Sequence, residues 1–184
     1  PLYKTPHMDD DITVRAATTA DLPAVGTLAG ELVRMHHALN PRRFLLPRKV
    51  EEGYRRWFAR ELKNGDAVLL VAVDRTGTVL GYLYGRFAEH DWQLLLDAHA
   101  TLDDILVRDD ARGRGVGKRL IDAFVGRARE RGVPRVVLPV GDSPACTAAA
   151  ASGPQLPALR LWLQDKMARI ASDGHLQRVL DVVM

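Results

Sequence analysis

A short segment rich in glycine and arginine, in the second half of the chain, has the composition of an anion-binding turn. It follows an aliphatic run that ends at Val107, and it leads directly into a helical pattern. A strand-to-helix turn points backbone N–H groups and the positive end of the helix dipole, worth roughly half a charge, at one place. Glycines let an anion approach the backbone and permit a positive φ. The pattern therefore predicts a phosphate-binding turn made of Arg112, Gly113, Arg114, Gly115, Val116, Gly117 and Lys118.

The spacing within this turn excludes two common nucleotide-binding motifs. A P-loop would have a glycine five residues before Gly117, and Arg119 stands where its magnesium-binding Ser or Thr would be. A dinucleotide-binding fingerprint would have a glycine in place of Lys118. The cationic side chains of the turn are instead suited to a pyrophosphate or a 3′-phosphate.

Two adjacent carboxylates, Asp103 and Asp104, precede the turn on the same aliphatic run. Side chains alternate between the two faces of a strand, so we expect Asp104 on the face of Leu106, and Asp103 on the face of Ile105 and Val107. Only one of the two carboxylates would then point into a cleft. A second interpretation stays open, in which both are edge-strand carboxylates that aid solubility or pair with arginines.

The rest of the pattern describes the elements that would position these residues. It predicts a strand over 12–16, helices over 22–39 and 50–62, a hairpin of strands over 67–73 and 79–87, and a strand over 101–107. A helix from 116 to the stop at 132–134 and a strand over 135–140 follow. The last part carries a helical stripe over 156–170 and a closing strand over 178–184. This order fits a mixed sheet with helices on its faces.

Length and composition favour one domain. A chain of 184 residues that is 47% hydrophobic can bury its own core, and a charge of +3 from 26 basic and 23 acidic residues does not indicate a nucleic-acid-binding protein. The single cysteine, Cys146, excludes an internal disulfide and a cysteine-based zinc site, so we expect no metal and a cytoplasmic location. No apolar run is long enough to span a bilayer. We expect residues 1–7 to be a remnant of expression, with Met8 as the natural start.

The segment LDDILVRDDARGRGVGKRLIDAF resembles motif A of the GNAT superfamily of acyl-CoA-dependent N-acyltransferases. Arg112, Gly115 and Gly117 occupy the fixed positions of its signature, [RQ]xxGx[GA], and the element order matches from about residue 12 to residue 140. The strand TLDDILV with its turn is further similar to the spermidine/spermine and diamine N-acetyltransferases. The resemblance implies an α/β fold of the α+β type, with a mixed, mostly antiparallel sheet flanked by helices, in a single N-acetyltransferase domain over 8–184.

The resemblance also implies ligands. Acetyl-CoA would be the co-substrate, its pyrophosphate held by the amides from Gly113 to Lys118. Its pantetheine arm would pair as an added strand with the backbone of Ile105, Leu106 and Val107, which is how an extended amide-bearing arm can join a sheet edge. The acceptor would be a primary amine on a small cationic substrate, because the region from Glu89 to Asp104 is locally acidic. We expect neither nucleic acid nor a membrane as partner, and we leave a homodimer open.

Direct transfer in a ternary complex needs a neutral amine, whereas a free alkylamine has a pKa near ~10.4. By the same resemblance Asp103 is the first candidate for the base and Asp104 the second. His99 is the next candidate, because it lies nearest in sequence to the acidic strand, ahead of three other histidines: His36, His37 and His90.

The chain departs from the family at the tyrosine that protonates the leaving thiolate. Depending on the register, Ala149 or Trp162 takes its place, and neither is an acid. A thiol pKa near ~8.5 would let the thiolate leave unassisted. The rival interpretation is a catalytically weak acyl-CoA-binding regulatory module. Tyr82 and Tyr84 are predicted to be packing aromatics.

Overall fold

The computed structural model describes residues 11–92 and 95–137. One five-stranded sheet, with its strands in sequence order, runs through this part of the chain. The first four strands pair antiparallel with one another, and the fifth is parallel to the fourth. The predicted mixed, mostly antiparallel sheet flanked by helices is therefore confirmed. The elements are β1 (Thr13–Ala16), α1 (Leu22–Leu39), α2 (Val50–Glu61), β2 (Ala67–Val73), β3 (Val79–Ala88), β4 (His99–Val107), α3 (Val116–Glu130) and β5 (Val136–Val137).

Each face of the sheet buries an apolar cluster beneath helices. Helix α3 covers one face, where Phe124 and Leu120 pack on alternate residues of the strands. Helices α1 and α2 cover the other, where Phe58 and Leu28 do the same. Strand β2 is apolar at every position because both of its faces are covered, so its hydrophobic run is continuous and does not alternate.

Helices α1 and α2 approach each other closely at two glycines one turn apart. A Cβ on Gly26 would lie 2.6 Å from Arg55 Cγ, and one on Gly30 would lie 2.8 Å from Glu51 Oε1. Arg34 then pairs with Glu51 across the two helices at 2.5 Å. The small residues therefore let α2 pack closely against α1.

A paired carboxylate fixes the corner between β1 and α1. Asp21 accepts hydrogen bonds from both Arg15 terminal nitrogens, at 2.7 and 2.8 Å, and from the Thr18 backbone N–H at 2.7 Å. Asp21 is buried, and Arg15 holds its pKa down at about 2. Thr18 and Asp21 have the three-residue spacing of a capping box, whereas no local pattern indicates the contribution of Arg15.

The predicted elements between residues 12 and 134 agree with the structure to within two residues at each end. The strand predicted over 135–140 is described only at Val136–Val137. The remnant at 1–7, the alanine-rich segment with Cys146 and Ala149, the helical stripe with Trp162 and the closing strand lie outside the described residues.

Candidate active site

The predicted phosphate turn lies between the end of β4 and the start of α3. Gly113 and Gly115 have φ of 76° and 77°, in the left-handed region, and nothing lies within 4 Å of the position of a Cβ on either. The Arg112 N–H donates to Asp109 O at 3.3 Å, and the next N–H with a backbone acceptor among the described residues is that of Arg119, which donates to Gly115 O at 3.0 Å. The amides from Gly113 to Lys118 are thus left without backbone acceptors in the described part of the chain, at the positive end of a 15-residue helix. This geometry suits a phosphate group.

The cationic side chains around the turn differ in how far they are already neutralised. Arg112 pairs with Asp109 and Lys118 with Asp122, each at 2.7 Å. Arg114 makes no ion pair with the described residues, and its Nε atom is buried without a hydrogen-bond partner there. Arg114 is therefore the side chain whose charge is most available to an anion at this turn.

The two adjacent aspartates do not lie on opposite faces of β4, so the prediction from strict alternation was wrong. A β-bulge breaks the register between β3 and β4: Tyr84 pairs with Asp104 and Gly85 pairs with Leu102, which leaves Asp103 as the extra residue. Leu102 and Ile105, three residues apart, both pack on the α3 side. A bulge has this effect because it inserts one residue and interrupts the period of two. Both carboxylates consequently lie on the side of α1 and α2.

Asp104 is a half-buried carboxylate without a cationic partner in the described part of the chain. Its one hydrogen bond there comes from the Tyr82 hydroxyl, at a long 3.5 Å to Oδ2. Burial, followed by the charge of Asp103, raises the pKa of Asp104 to about 6, against an effect of the Tyr82 bond in the opposite direction. A carboxylate with this pKa is mostly ionised at neutral pH and is a stronger base than an ordinary aspartate.

Asp103 is in a different environment although it directly precedes Asp104 in the chain. Arg86 of β3 donates from Nε at 2.8 Å and from a terminal nitrogen at 3.3 Å to its two carboxylate oxygens. Its side chain is 19% exposed, and that of Arg86 is 55% exposed. The first candidate for the base is therefore already held in a two-point ion pair, and the second is not.

Tyrosines from two elements surround Asp104. Tyr82 and Tyr84 on β3 are fully buried against Phe58, as predicted for packing aromatics, but their hydroxyls also reach carboxylates. Tyr84 donates to Glu61 of α2 at 2.7 Å. Tyr54 of α2 is only half-buried, and burial, with a smaller effect of the Asp104 charge, raises its pKa to about 12.

Three residues of this cluster were missed in the sequence: Arg86, Tyr54 and Glu61. Arg86 left a signal, since it is the one charged residue in the otherwise uncharged strand Val79–Ala88. Tyr54 belongs to the same helical stripe as Trp57 and Phe58 and is indistinguishable from a core residue by spacing. Tyr54 and Glu61 reach this cluster from α2 by tertiary contacts, which local sequence patterns do not indicate.

The predicted pantetheine strand, Ile105 to Val107, pairs with β3 on one side only. Its neighbours there are Leu83, Tyr82 and Gly81. On the opposite side, β5 pairs with β4 at Ala100 and Thr101, and among the described residues β4 has no strand partner beyond that point. Leu106 itself is buried on the α1 side, so only its backbone is suited to contact an added strand.

The histidines lie away from Asp104 or have other contacts. His99 is buried, with Nδ1 2.8 Å from Asp97 O, and it stands five residues before Asp104, roughly 16 Å along the strand. The acidic residues of the segment between β3 and β4 lie at that same far end, where Asp97 is 3.4 Å from His90. The locally acidic region seen in the sequence is therefore not gathered in one place. His36 stacks on Phe44, and burial lowers its pKa.

Residues 11–92 and 95–137 contain neither a cluster of metal ligands nor a membrane-spanning helix. No group of three or more histidine, cysteine, aspartate or glutamate side chains there could hold a metal ion. No helix in the same ranges is both long enough and apolar enough to cross a membrane.

The chain is similar in sequence to known acetyltransferases. The family model described as Acetyltransferase (GNAT) family matches residues 32–150. The L-methionine sulfoximine/L-methionine sulfone acetyltransferases of Pseudomonas paraeruginosa and Pseudomonas aeruginosa are each 33% identical over 124 residues. That match covers 66% of this chain and 66% of each relative, just under two thirds of their length.

Solved structures show the same fold. A mutant of a Bacillus halodurans protein superposes with a TM-score of 0.64 at 19% identity, covering 71% of this chain and 83% of that one. A transcriptional regulator from Bacillus halodurans C-125 superposes with a TM-score of 0.56 at 26% identity, covering 83% of this chain and 90% of that one.

Proposed function

Because the chain belongs to the acetyltransferase (GNAT) family, we propose that it transfers an acetyl group from acetyl-CoA to the primary amine of a small molecule. One observation carries this proposal. A single strand, β4, bears a half-buried carboxylate without a cationic partner in the described residues and ends three residues later; the turn from Gly113 to Lys118, which follows a short 3-10 helix at Asp109–Ala111, has backbone N–H groups that lack acceptors there. The separation from Asp104 to Val107 is about 10 Å of extended strand.

The turn would hold the pyrophosphate of acetyl-CoA. Amides from Gly113 to Lys118 would donate to it, with Arg114 as the main charged contact because Arg112 and Lys118 already have carboxylate partners. The pantetheine arm would lie along Ile105 to Val107 on the side away from β3. The thioester would then lie close to Asp104, since both belong to the same short stretch of β4.

Asp104 is the carboxylate we propose as the general base, in preference to Asp103. In the step, the amine nitrogen forms a bond to the acetyl carbon, the carbon–sulfur bond breaks, and the amine proton passes to Asp104. The sulfur leaves as a thiolate, whose ordinary pKa near ~8.5 makes it a tolerable leaving group. Tyr54 stays protonated at neutral pH, since its pKa is about 12, and is the partly exposed hydroxyl of the cluster.

The acceptor is proposed to be a small amine that is cationic in solution. The carboxylate supports this, because without a cationic partner among the described residues it attracts an ammonium group. The ammonium loses one proton to solvent before it attacks, and Asp104 accepts the second proton as the amide forms. The relatives named above act on L-methionine sulfoximine and L-methionine sulfone. The similarity of motif A to the polyamine enzymes suggests a second group of acceptors. An acceptor panel should accordingly contain amino-acid analogues as well as diamines and polyamines.

A second candidate function is acyl-CoA binding without efficient catalysis. The observation that favours it is the transcriptional regulator from Bacillus halodurans C-125, which shares this fold at 26% identity. A regulatory module would keep the turn and would not depend on Asp104. A cytoplasmic location and a homodimer stay predictions from the sequence.

The first experiment measures acetyl-CoA binding by thermal shift, because a ligand of the folded state raises the melting temperature by mass action. Gly115→Asp should abolish the rise, since it adds a side chain and a negative charge where the phosphate would bind. Gly77→Asp is the matched control: Gly77 also has a positive φ, 83°, and open space around it, but lies in the turn between β2 and β3. Normal binding by a folded Gly115→Asp variant would exclude the proposed site.

The second experiment measures release of free thiol from acetyl-CoA with the acceptor panel. Release that depends on one class of amine supports the enzyme and identifies its substrate class. A thermal shift with acetyl-CoA but no release with any amine would favour the binding module instead.

A further inference from the structure

Asp103 and Arg86 form a charged pair directly beside the proposed base. Asp103 is the extra residue of the bulge and has no partner in the β3–β4 register. Its carboxylate instead receives two hydrogen bonds from Arg86, which pairs in the ladder with Thr101. The bulge thus brings one carboxylate into contact with a guanidinium and leaves the adjacent one, Asp104, without a cation among the described residues.

Two carboxylates on consecutive residues of one face disfavour each other's ionised form. The charge of Asp103 acts on Asp104 in this direction. Arg86 offsets part of that charge at its source, because its planar guanidinium contacts both oxygens of Asp103. Without Arg86, Asp104 would face an uncompensated negative charge.

Among the described residues, the other titratable groups near Asp104 do not provide a cation. Tyr82 from β3 and Tyr54 from α2 are both neutral at pH 7, because burial raises the pKa of each. Glu61 of α2 accepts from Tyr84, which lies beside Arg86. Helix α1 also contacts β4, but its His36 stacks on Phe44, and burial lowers the pKa of that histidine, so it is neutral at pH 7.

We infer that Arg86 and Asp103 act together as a charge-balancing pair that keeps Asp104 in its proton-accepting form near neutral pH. Arg86 is then a positioning residue, which acts on the reaction only through Asp103 and Asp104. The inference rests on the proposed function insofar as Asp104 is the base. The balance between the two charges is nevertheless a property of the folded chain, and it can be measured without substrate.

The test is a double-mutant cycle on the titration of Asp104 in the full chain. Arg86→Gln should raise its midpoint by about one pH unit, because the charge of Asp103 is then uncompensated, and Asp103→Asn should lower it by about the same amount. The double variant should return close to the wild type, since a neutral pair replaces a balanced one. Arg86→Lys should retain most of the wild-type value.

Two readouts separate failure of the inference from failure of the proposed function. The first is the ¹³C chemical shift of the aspartate carboxyl groups against pH, with the Asp104 signal assigned by its loss in Asp104→Asn. The second is the acid limb of kcat/KM, which reports the base of the free enzyme and should move in parallel. If the carboxyl signal moves as expected and the kinetics do not follow, the charge balance stands and Asp104 is not the base.

Arg131→Gln is the matched control, because Arg131 pairs with Asp66 at the surface and the substitution changes the net charge equally. It should leave the Asp104 midpoint in place. The inference is overturned if Arg86→Gln and Asp103→Asn shift the midpoint in the same direction, or if neither shifts it by more than about 0.2 pH units. It is also overturned if the double variant keeps the shift of Arg86→Gln, since that result would mean a structural effect of the arginine.

Discussion

Asp21 at the corner of β1 and α1 and Asp104 at the bulge of β4 are both withdrawn from solvent, and their pKa values move in opposite directions. Arg15 and Thr18 satisfy Asp21, whose pKa falls to about 2. Asp104 has a long bond from Tyr82 and a like charge beside it, and its pKa rises to about 6. A carboxylate that only holds the fold together gains from being paired. A carboxylate proposed to take up a proton, as Asp104 is, gains basicity from the lack of a cationic partner among the described residues, and the fold bears that cost.

The largest expected effect concerns turnover, and it tests the role proposed for Asp104. Asp104→Asn should lower kcat about 10²- to 10⁴-fold at pH 7 and leave acetyl-CoA affinity nearly intact, because general-base assistance has this magnitude and the base does not contact the cofactor. Steady-state kinetics and a thermal shift with acetyl-CoA measure the two quantities. The reference is Asp103→Asn, which should keep kcat within about threefold of the wild type at pH 8. That pH lies above the Asp104 midpoint expected in the wild type and in Asp103→Asn. Equal losses in the two variants would contradict the assignment.

The same substitution should have the opposite effect on stability. A raised pKa means that the unfolded chain releases the proton first, so the contribution of Asp104 to stability falls as pH rises from about 4 through about 6. At pH 7, Asp104→Asn should therefore raise the free energy of unfolding, by up to about 3 kcal/mol, and at pH 4 it should change little. Urea unfolding at both pH values checks this. A loss of stability at pH 7 would show that the ionised carboxylate is satisfied in the fold.

The bulge at Asp103 lies opposite Gly85 of the partner strand β3, where a larger side chain would not fit. A Cβ on Gly85 would lie 2.5 Å from Phe124 Cζ and 2.5 Å from Thr101 O, so Gly85→Ala should force Phe124 and β4 apart at the bulge. We expect a loss of about 1 to 3 kcal/mol in the free energy of unfolding, as for an overpacked core, together with lower turnover.

Gly126→Ala is the control for that change. Gly126 lies within α3 with nothing within 4 Å of the position of its Cβ, so alanine should leave stability unchanged or raise it by up to about 1 kcal/mol. Both variants are compared by urea unfolding. A Gly85→Ala variant as stable as the wild type would mean that Phe124 yields without disturbing the sheet.

Local patterns were sufficient to predict the helices, the hairpin and the glycine turn. The positive φ values of Gly113 and Gly115 follow from residue type and from the strand-to-helix context. The face of Asp103 was predicted wrongly, because a bulge is set by the partner strand and by the contact between Gly85 and Phe124, which lie 39 positions apart in the chain. A period of two carries no information about that contact.

The electrostatics of the site also depended on contacts distant in sequence. Asp103 was the first candidate for the base by resemblance, yet Arg86, 17 residues earlier, holds it in an ion pair. Tyr54 interacts with Asp104 from α2, about 50 positions earlier in the chain, and its helical spacing alone does not indicate that approach. The sequence therefore indicated candidate residues for the site, and tertiary packing decided which carboxylate lacks a cationic partner among the described residues.

The smallest expected effect concerns the paired carboxylate. The pKa of Asp21 is lowered, so its contribution to stability is fully present above about pH 4 and is lost as pH falls through about 2. Asp21→Asn keeps the shape and the acceptor for Thr18 but removes the charge that Arg15 binds. It should lower the free energy of unfolding by about 1 to 2 kcal/mol at pH 7, and by progressively less toward pH 2.

The control is Asp66→Asn, which removes the charge of an exposed pair with Arg131 and should cost no more than about 1 kcal/mol. Urea unfolding across this pH range should show the Asp21 difference shrinking with acid, opposite in sign to that of Asp104→Asn. If the loss at Asp21 were independent of pH, packing and not the charge of Asp21 would stabilise the corner.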